Sequence, residues 1–270
     1  MRQGVTALIA PFRQAACAQL VAVILLAAAG PVIADDDTTL QATVGVKAWE
    51  NEWTSWYPVL NPASATRVVE PIDNNFDFVL IPQASLRYGD FLVAGSYFVN
   101  KTYSLSGAVD PTSGNPVELS PRRHEFDVNG GYYVFPSLAI TAGYKRVEQD
   151  FGSSRYTWSG PTIGLSGSAQ LHGPIAVYGA FAYGFMRLHA SVPDDADQTS
   201  YDADYTLGEV GLAYLIPTQS SLLSFSVSLG YRVQTVRTRD FAIATPHSGY
   251  ADIGVHDVTQ GPALGVVTRF

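Results

Sequence analysis

The chain has 270 residues, 16 basic and 24 acidic, and only 15% of them are charged, where folded soluble domains average about 25%. Its 12% aromatics, 15 tyrosines among them, exclude a disordered chain, which is poor in aromatics and rich in charge. An acidic balance with no basic block also excludes nucleic acid as a natural partner.

The first element is an export signal, expected over 1–34. Arg2 and Arg13 supply its positive region, Leu20 to Ala29 its apolar stretch, and Val32-Ile33-Ala34 the small residues that a signal peptidase reads. A membrane-spanning helix is the competing interpretation. Ten apolar residues in a helix cover only about 15 Å, half of what a bilayer needs. Cys17 precedes that stretch, so the expected mature chain, 35–270, has no cysteine. A disulfide scaffold and a cysteine-based metal site are therefore excluded.

Downstream, the dominant signal is a period of two. Residues 223–233 read Leu-Ser-Phe-Ser-Val-Ser-Leu-Gly-Tyr-Arg-Val, bulky and apolar at odd positions, small or polar at even ones. A soluble sandwich would carry charge on its outward face. A greasy face backed by a small polar one is the signature of a strand with lipid outside and a crowded lumen inside. Ten such segments are predicted, near 39–49, 76–88, 91–102, 123–134, 138–149, 155–167, 175–187, 205–216, 222–235 and 257–270. The fold class expected is all-β, a closed antiparallel transmembrane barrel of ten strands, with eight or twelve as alternatives.

The gaps support this. Short ones, such as Gly89-Asp90 and Phe135-Pro136-Ser137, separate long polar ones at 50–75, 103–122, 188–204 and 236–256, as periplasmic turns and extracellular loops do. Two turns fix register. Gly89-Asp90 makes a two-residue hairpin that pairs Tyr88 with Phe91 and Leu86 with Val93. The loop 135–137 pairs Val134 with Leu138, Tyr132 with Ile140 and, on the lumen face, Asp127 with Lys145. The 50–75 loop, rich in Trp, is where a further hairpin could hide.

At the C-terminus, Leu264, Val266, Thr268 and Phe270 share one face, and the aromatic is last. This resembles the final strand of Gram-negative outer-membrane barrel proteins. The resemblance implies recognition of Phe270 by the barrel-assembly machinery, outer-membrane localisation after passage through the periplasm, and contact with outer-membrane lipid and lipopolysaccharide. It extends to porin-like channels and to barrel enzymes, so it leaves activity open.

Candidate functional residues follow from the alternation. Lys47, Arg87, Asp127, Lys145, Glu209, Arg232 and Arg269 are expected to line the lumen. They would build either a salt-bridged polar core or a charged constriction selecting a small solute. Val79, Ile81, Leu92 and Phe98 point inward as well, either as packing or as a pocket for an apolar ligand. Tyr88, Phe91, Tyr132, Phe135 and Phe270 should form one aromatic belt, and Trp49, Tyr103, Phe126, Tyr156, Trp158 and Tyr205 the other. The acidic loop with Asp194, Asp195, Asp197, Asp202 and Asp204 lacks the glycine and glutamate of a calcium loop and reads as solvated. The resemblance implies that a barrel enzyme would place His with Ser, Asp or Glu at the outer rim. His124 beside Glu125 and His256 beside Asp257 are nearest to that, yet strand neighbours face opposite ways. No catalytic residue, metal or cofactor is expected. The function expected is a narrow solute channel or a largely closed structural barrel, with an adhesin or receptor as alternative and a lipid-acting enzyme third.

A tag inserted at Asn115 is expected to be labelled on intact cells and one at Gly89-Asp90 only after permeabilisation. The reverse pattern would invert the orientation.

Overall fold

The computed structural model describes residues 40–61, 66–109, 115–192, 197–218, 223–240, 242–244, 250–252 and 256–270. The predicted leader and the acidic pair Asp194-Asp195 lie outside them. Ten long strands close into a barrel: β1 (Leu40–Asn61), β3 (Asp77–Tyr88), β4 (Phe91–Thr102), β7 (Arg122–Phe135), β8 (Leu138–Asp150), β9 (Arg155–His172), β10 (Ile175–Ala190), β11 (Ser200–Ile216), β12 (Ser224–Thr238) and β15 (His256–Arg269). Each pairs antiparallel with its neighbours in that order, and β15 returns to β1. Phe270 and Ala42 exchange backbone hydrogen bonds at the join, 2.8 and 3.2 Å.

The alternation builds this wall directly. Leu86, Val93, Val128, Ile140, Ile163, Leu212, Leu229 and Leu264 are all exposed, as residues on a lipid-facing surface are in the isolated barrel. Tyr88, Phe91, Tyr132, Phe135 and Phe270 are exposed beside the short turns and form the expected belt there. The first predicted hairpin register is observed from Tyr88–Phe91 as far as Gln83–Ser96. In the second, Tyr132 faces Ile140 and Asp127 faces Lys145, but a bulge puts Phe135, rather than Val134, opposite Leu138.

Toward the long-loop end the pattern inverts. On β8 Val147 points in while Arg146 and Glu148 point out; on β10 Leu188 is buried and Arg187 exposed; on β11 Tyr201 and Ala203 are buried between exposed or half-exposed Asp202 and Asp204. Apolar-in and polar-out is the arrangement of a protein in water, so this part of the barrel is built to stand clear of the bilayer. The inversion corrects one expectation. Trp49, Tyr103, Trp158 and Tyr205 are at most 4% exposed and fill the interior, Tyr156 packs partly buried against the Trp158 cluster, and Phe126 of that belt faces outward.

The long loops are themselves strand-built. β1 runs on to Asn61 and folds back as β2 (Thr66–Asp73), and β5 (Leu105–Val109) pairs with β6 (Pro116–Leu119) and touches β2. A separate hairpin joins β13 (Ala242–Ala244) to β14 (Tyr250–Asp252). None of these spans the barrel, because β1 still pairs directly with β3, so the count remains ten.

The β1–β15 join has one interruption. Trp49 pairs with Ala263 and Glu52 with Gln260, but Glu50 and Asn51 skip Gly261 and Pro262. Gly261 has φ +155°, its carbonyl accepts the Trp49 indole N–H at 3.2 Å, and a Cβ there would strike the Glu50 carbonyl. Gly261→Ala is expected to destabilise the barrel by about 1–3 kcal/mol in urea unfolding, the usual cost of a strained backbone position. An unchanged midpoint would mean that the join yields freely.

Candidate functional site: a charged network across the lumen

The inward faces of β1, β7, β8, β11, β12 and β15 meet in the middle of the barrel. Two carboxylates organise what they hold. Glu209 on β11 takes the Lys47 ammonium at 2.5 Å and an Arg232 guanidinium N–H at 3.1 Å. Glu125 on β7 takes Lys145 at 2.8 Å, Arg123 at 2.8 and 3.0 Å, and the Gln234 amide N–H at 2.6 Å. Gln234 links the halves, since its carbonyl accepts from Tyr205 at 3.2 Å and lies 3.5 Å from Arg232. Arg123 also donates to the Thr259 hydroxyl on β15 at 2.9 Å, and Gln149 to Asp257 at 2.6 Å.

Burial makes these contacts consequential. Arg123, Glu125, Lys145, Glu209, Gln234 and Thr259 are each 3% exposed or less. Four cations (Lys47, Arg123, Lys145, Arg232) face four carboxylates (Glu125, Asp127, Glu209, Asp257), so the middle of the lumen is neutral as a unit. Aromatic faces complete the cations' surroundings: Arg232 lies 5.1 Å from the Trp49 ring centre, Arg123 5.0 Å from Trp53, and Lys145 5.1 Å from Tyr205.

The seven residues singled out from the sequence divide. Lys47, Lys145, Glu209 and Arg232 belong to the network, and Asp127 sits at its edge, 3.9 Å from Lys145 and accepting from Asn129. Arg87 lies at the short-turn end, 3.9 Å over the Tyr133 ring and donating to the Gly89 carbonyl at 2.9 Å. Arg269 is exposed at the same rim, opposite Thr43 and Ser224. Sequence reasoning missed Arg123 and Gln234 and weighed Glu125 only as a neighbour of His124. Strand parity held the signal, because Arg123, Glu125 and Asp127 alternate on one face.

Between the network and the short turns lies a cavity of 270 Å³ lined by Lys47, Glu209, Tyr133, Tyr178, Ser166 and Ser168. On the other side the apolar interior closes in, with Trp49, Trp53 and Tyr103 fully buried. Tyr103 donates to the Asn51 side-chain carbonyl at 2.9 Å, satisfying a polar pair in that layer. His124, His189 and His256 alternate with buried neighbours and so stand on the outer face, and His172 is exposed at the short-turn end. Asp204 is engaged by Tyr183 at 2.5 Å and by Arg239 at 2.8 Å, and among the described residues no three side chains are grouped to hold a metal.

No protein-family model matches the chain, and neither does any curated protein. Solved structures do. The outer-membrane protease OmpT of Escherichia coli superposes with a TM-score of 0.52 at 13% identity, over 88% of this chain and 98% of that one. The translocator domain of the autotransporter NalP from Neisseria meningitidis gives 0.37 at 10% identity over 96% and 97%. The toluene transporter TodX of P. putida gives 0.27 at 8% identity over 87% and 90%. The chain has the fold of the outer-membrane β-barrels.

Glu125→Ala leaves two buried cations without their shared carboxylate and is expected to cost about 3–5 kcal/mol in urea unfolding. Asp127→Ala, half-buried and more distant, should cost about 0–1 kcal/mol. Equal costs would make the cross-strand Asp127–Lys145 pair the main interaction and contradict the network.

Proposed function

We propose that the chain is a non-catalytic integral outer-membrane barrel, closed to solutes in its middle, that carries its long-loop end above the outer leaflet. The observation that carries this reading is the buried, mutually neutral network at Glu125 and Glu209. A conducting constriction needs ions that enter and leave, so charges lining it should be hydrated and unpaired on one side. Here Glu125 and Glu209 are already occupied by the barrel's own cations.

The outer surface supports the orientation. Arg146 and Arg187, with side chains 53% and 63% exposed and paired sideways with Glu148 at 2.7 Å and Asp202 at 3.4 Å, both lie opposite Ser159 on β9, just beyond the exposed Tyr144 and Phe185. Guanidinium groups directly above an aromatic belt suit the phosphates of outer-leaflet lipid, lipopolysaccharide included. The outward histidines speak against a catalytic groove of the kind barrel enzymes use. A surface receptor is the second reading, favoured by the strands β2, β5 and β6, which give the loops a built surface. Passage across the membrane during export would require cleavage of the 1–34 leader and assembly through Phe270.

Purified protein in planar bilayers is expected to give no discrete conductance steps. Regular ion-selective steps from the wild-type protein would overturn the closed reading and restore the channel.

A further inference from the structure

One stretch of the barrel wall is not zipped. Ladder pairs between β3 and β4 run from Tyr88–Phe91 to Gln83–Ser96 and stop, although both strands continue for six more residues. Two local features account for it. The two-residue turn makes Tyr88–Phe91 a hydrogen-bonded pair, so even-numbered residues of β3 turn their N–H toward β4; Pro82 is the next of these and has none. On β4 a bulge at Val99-Asn100 then shifts the pairing with β7, from Phe98–Glu125 to Lys101–Arg123. The wall also skips pairs at Pro161 and at Pro262, but pairing resumes beyond each. Between β3 and β4 it does not resume; an ion pair between Asp77 and Lys101, 2.5 Å, spans the top.

Both faces of this split are apolar. Outside, Phe76, Phe78, Leu80, Tyr97 and Val99 are exposed, where β8, β10, β11 and β12 already show Arg and Asp. Inside, Val79, Ile81 and Phe98 pack with Trp49 in a buried cluster. Ten residues of tilted strand separate Tyr88 from Phe78, roughly 25 Å along the membrane normal, so the split occupies the half of the hydrocarbon band away from the short turns. Just below it the lipid face sinks into a groove of 370 Å³ at Ala42, Ala84 and Gly95. Unzipped backbone in hydrocarbon is costly, and barrels otherwise close every strand.

We propose that this split is a lateral portal through which one acyl chain of an outer-leaflet lipid enters between β3 and β4 and reaches the apolar side chains of Ile81 and Phe98. The chain rises along the groove, its methylenes separate β3 from β4, and the Asp77–Lys101 pair limits the opening. Passage here is sideways, above the charged network, and stands whether or not solutes cross the lumen.

Photo-crosslinking in lipid vesicles tests it. With p-benzoylphenylalanine in place of Phe98, illumination is expected to give a barrel–lipid adduct by mass. The same group at Leu207, inside the opposite wall, should give none, and at the lipid-facing Val128 it should react regardless. Pro82→Val restores the missing N–H and should lower the Phe98 adduct about fivefold, the effect of one ordinary hydrogen bond on an open–closed equilibrium. No adduct at Phe98, or an adduct indifferent to Pro82→Val, would overturn the portal. Should the Phe98 variant not fold, tryptophan emission serves instead: brominated acyl chains should quench the otherwise unaltered chain more than its Pro82→Val variant. Equal quenching would overturn the proposal.

Discussion

A charge inside a narrow barrel has nowhere to go except to another side chain, and that constraint organises this molecule. Removing a carboxylate or an ammonium from water costs several kcal/mol, recovered only where opposite charge and hydrogen bonds lie close. Glu125 meets the condition with Arg123, Lys145 and Gln234, and Glu209 meets it with Lys47 and Arg232. The two carboxylates and these partners come from β1, β7, β8, β11 and β12, so the network ties opposite walls together across the lumen. Neutrality belongs to the set rather than to any pair, which makes the ten-strand closure and the interior chemistry one requirement.

The second organising fact is that a single run of strands serves two solvents. Beside the short turns the alternation puts leucine and valine outside and small polar residues inside. Beyond Tyr144 and Phe185 the same strands put arginine and aspartate outside, with tryptophan, tyrosine and leucine within. On β8, β10 and β11 the in–out alternation runs through that level unchanged; only the medium facing each side differs. On the side of β8, β10 and β11 the buried aromatic layer around Trp158 is therefore the core of a water-facing cap standing on the membrane-embedded part.

Much of this was legible in the sequence. Period-two alternation located all ten wall strands, and Gly89-Asp90 fixed a register that the structure reproduces. Strand ends were less legible. Glu50, Glu52 and Trp53 read as loop because a lipid-facing pattern was expected, whereas β1 continues through them with polarity reversed. The same assumption sent Trp49, Tyr103, Trp158 and Tyr205 to a belt. Lumen parity identified Lys47, Lys145, Glu209 and Arg232 one strand at a time. Which carboxylate each cation would meet depends on strands more than a hundred residues apart, such as Gln234 with Glu125, and no local pattern encodes that. The unzipped β3–β4 wall was half legible: Pro82 is visible in the strand, but its consequence depends on which neighbour its nitrogen faces.

The most direct test of a closed, charge-paired lumen uses the chain's three lysines, Lys47, Lys101 and Lys145. Their ammonium protons can be followed by nitrogen-15 NMR in detergent or lipid nanodiscs, with Lys101, about a third exposed, as an internal reference. Lys145, locked between Glu125 and Asp127, is expected to show a resolved ammonium signal with slow hydrogen exchange, Lys47 an intermediate one, and Lys101 fast exchange. Exchange at Lys145 as fast as at Lys101 would mean that water reaches the centre of the lumen, and would contradict the closed network.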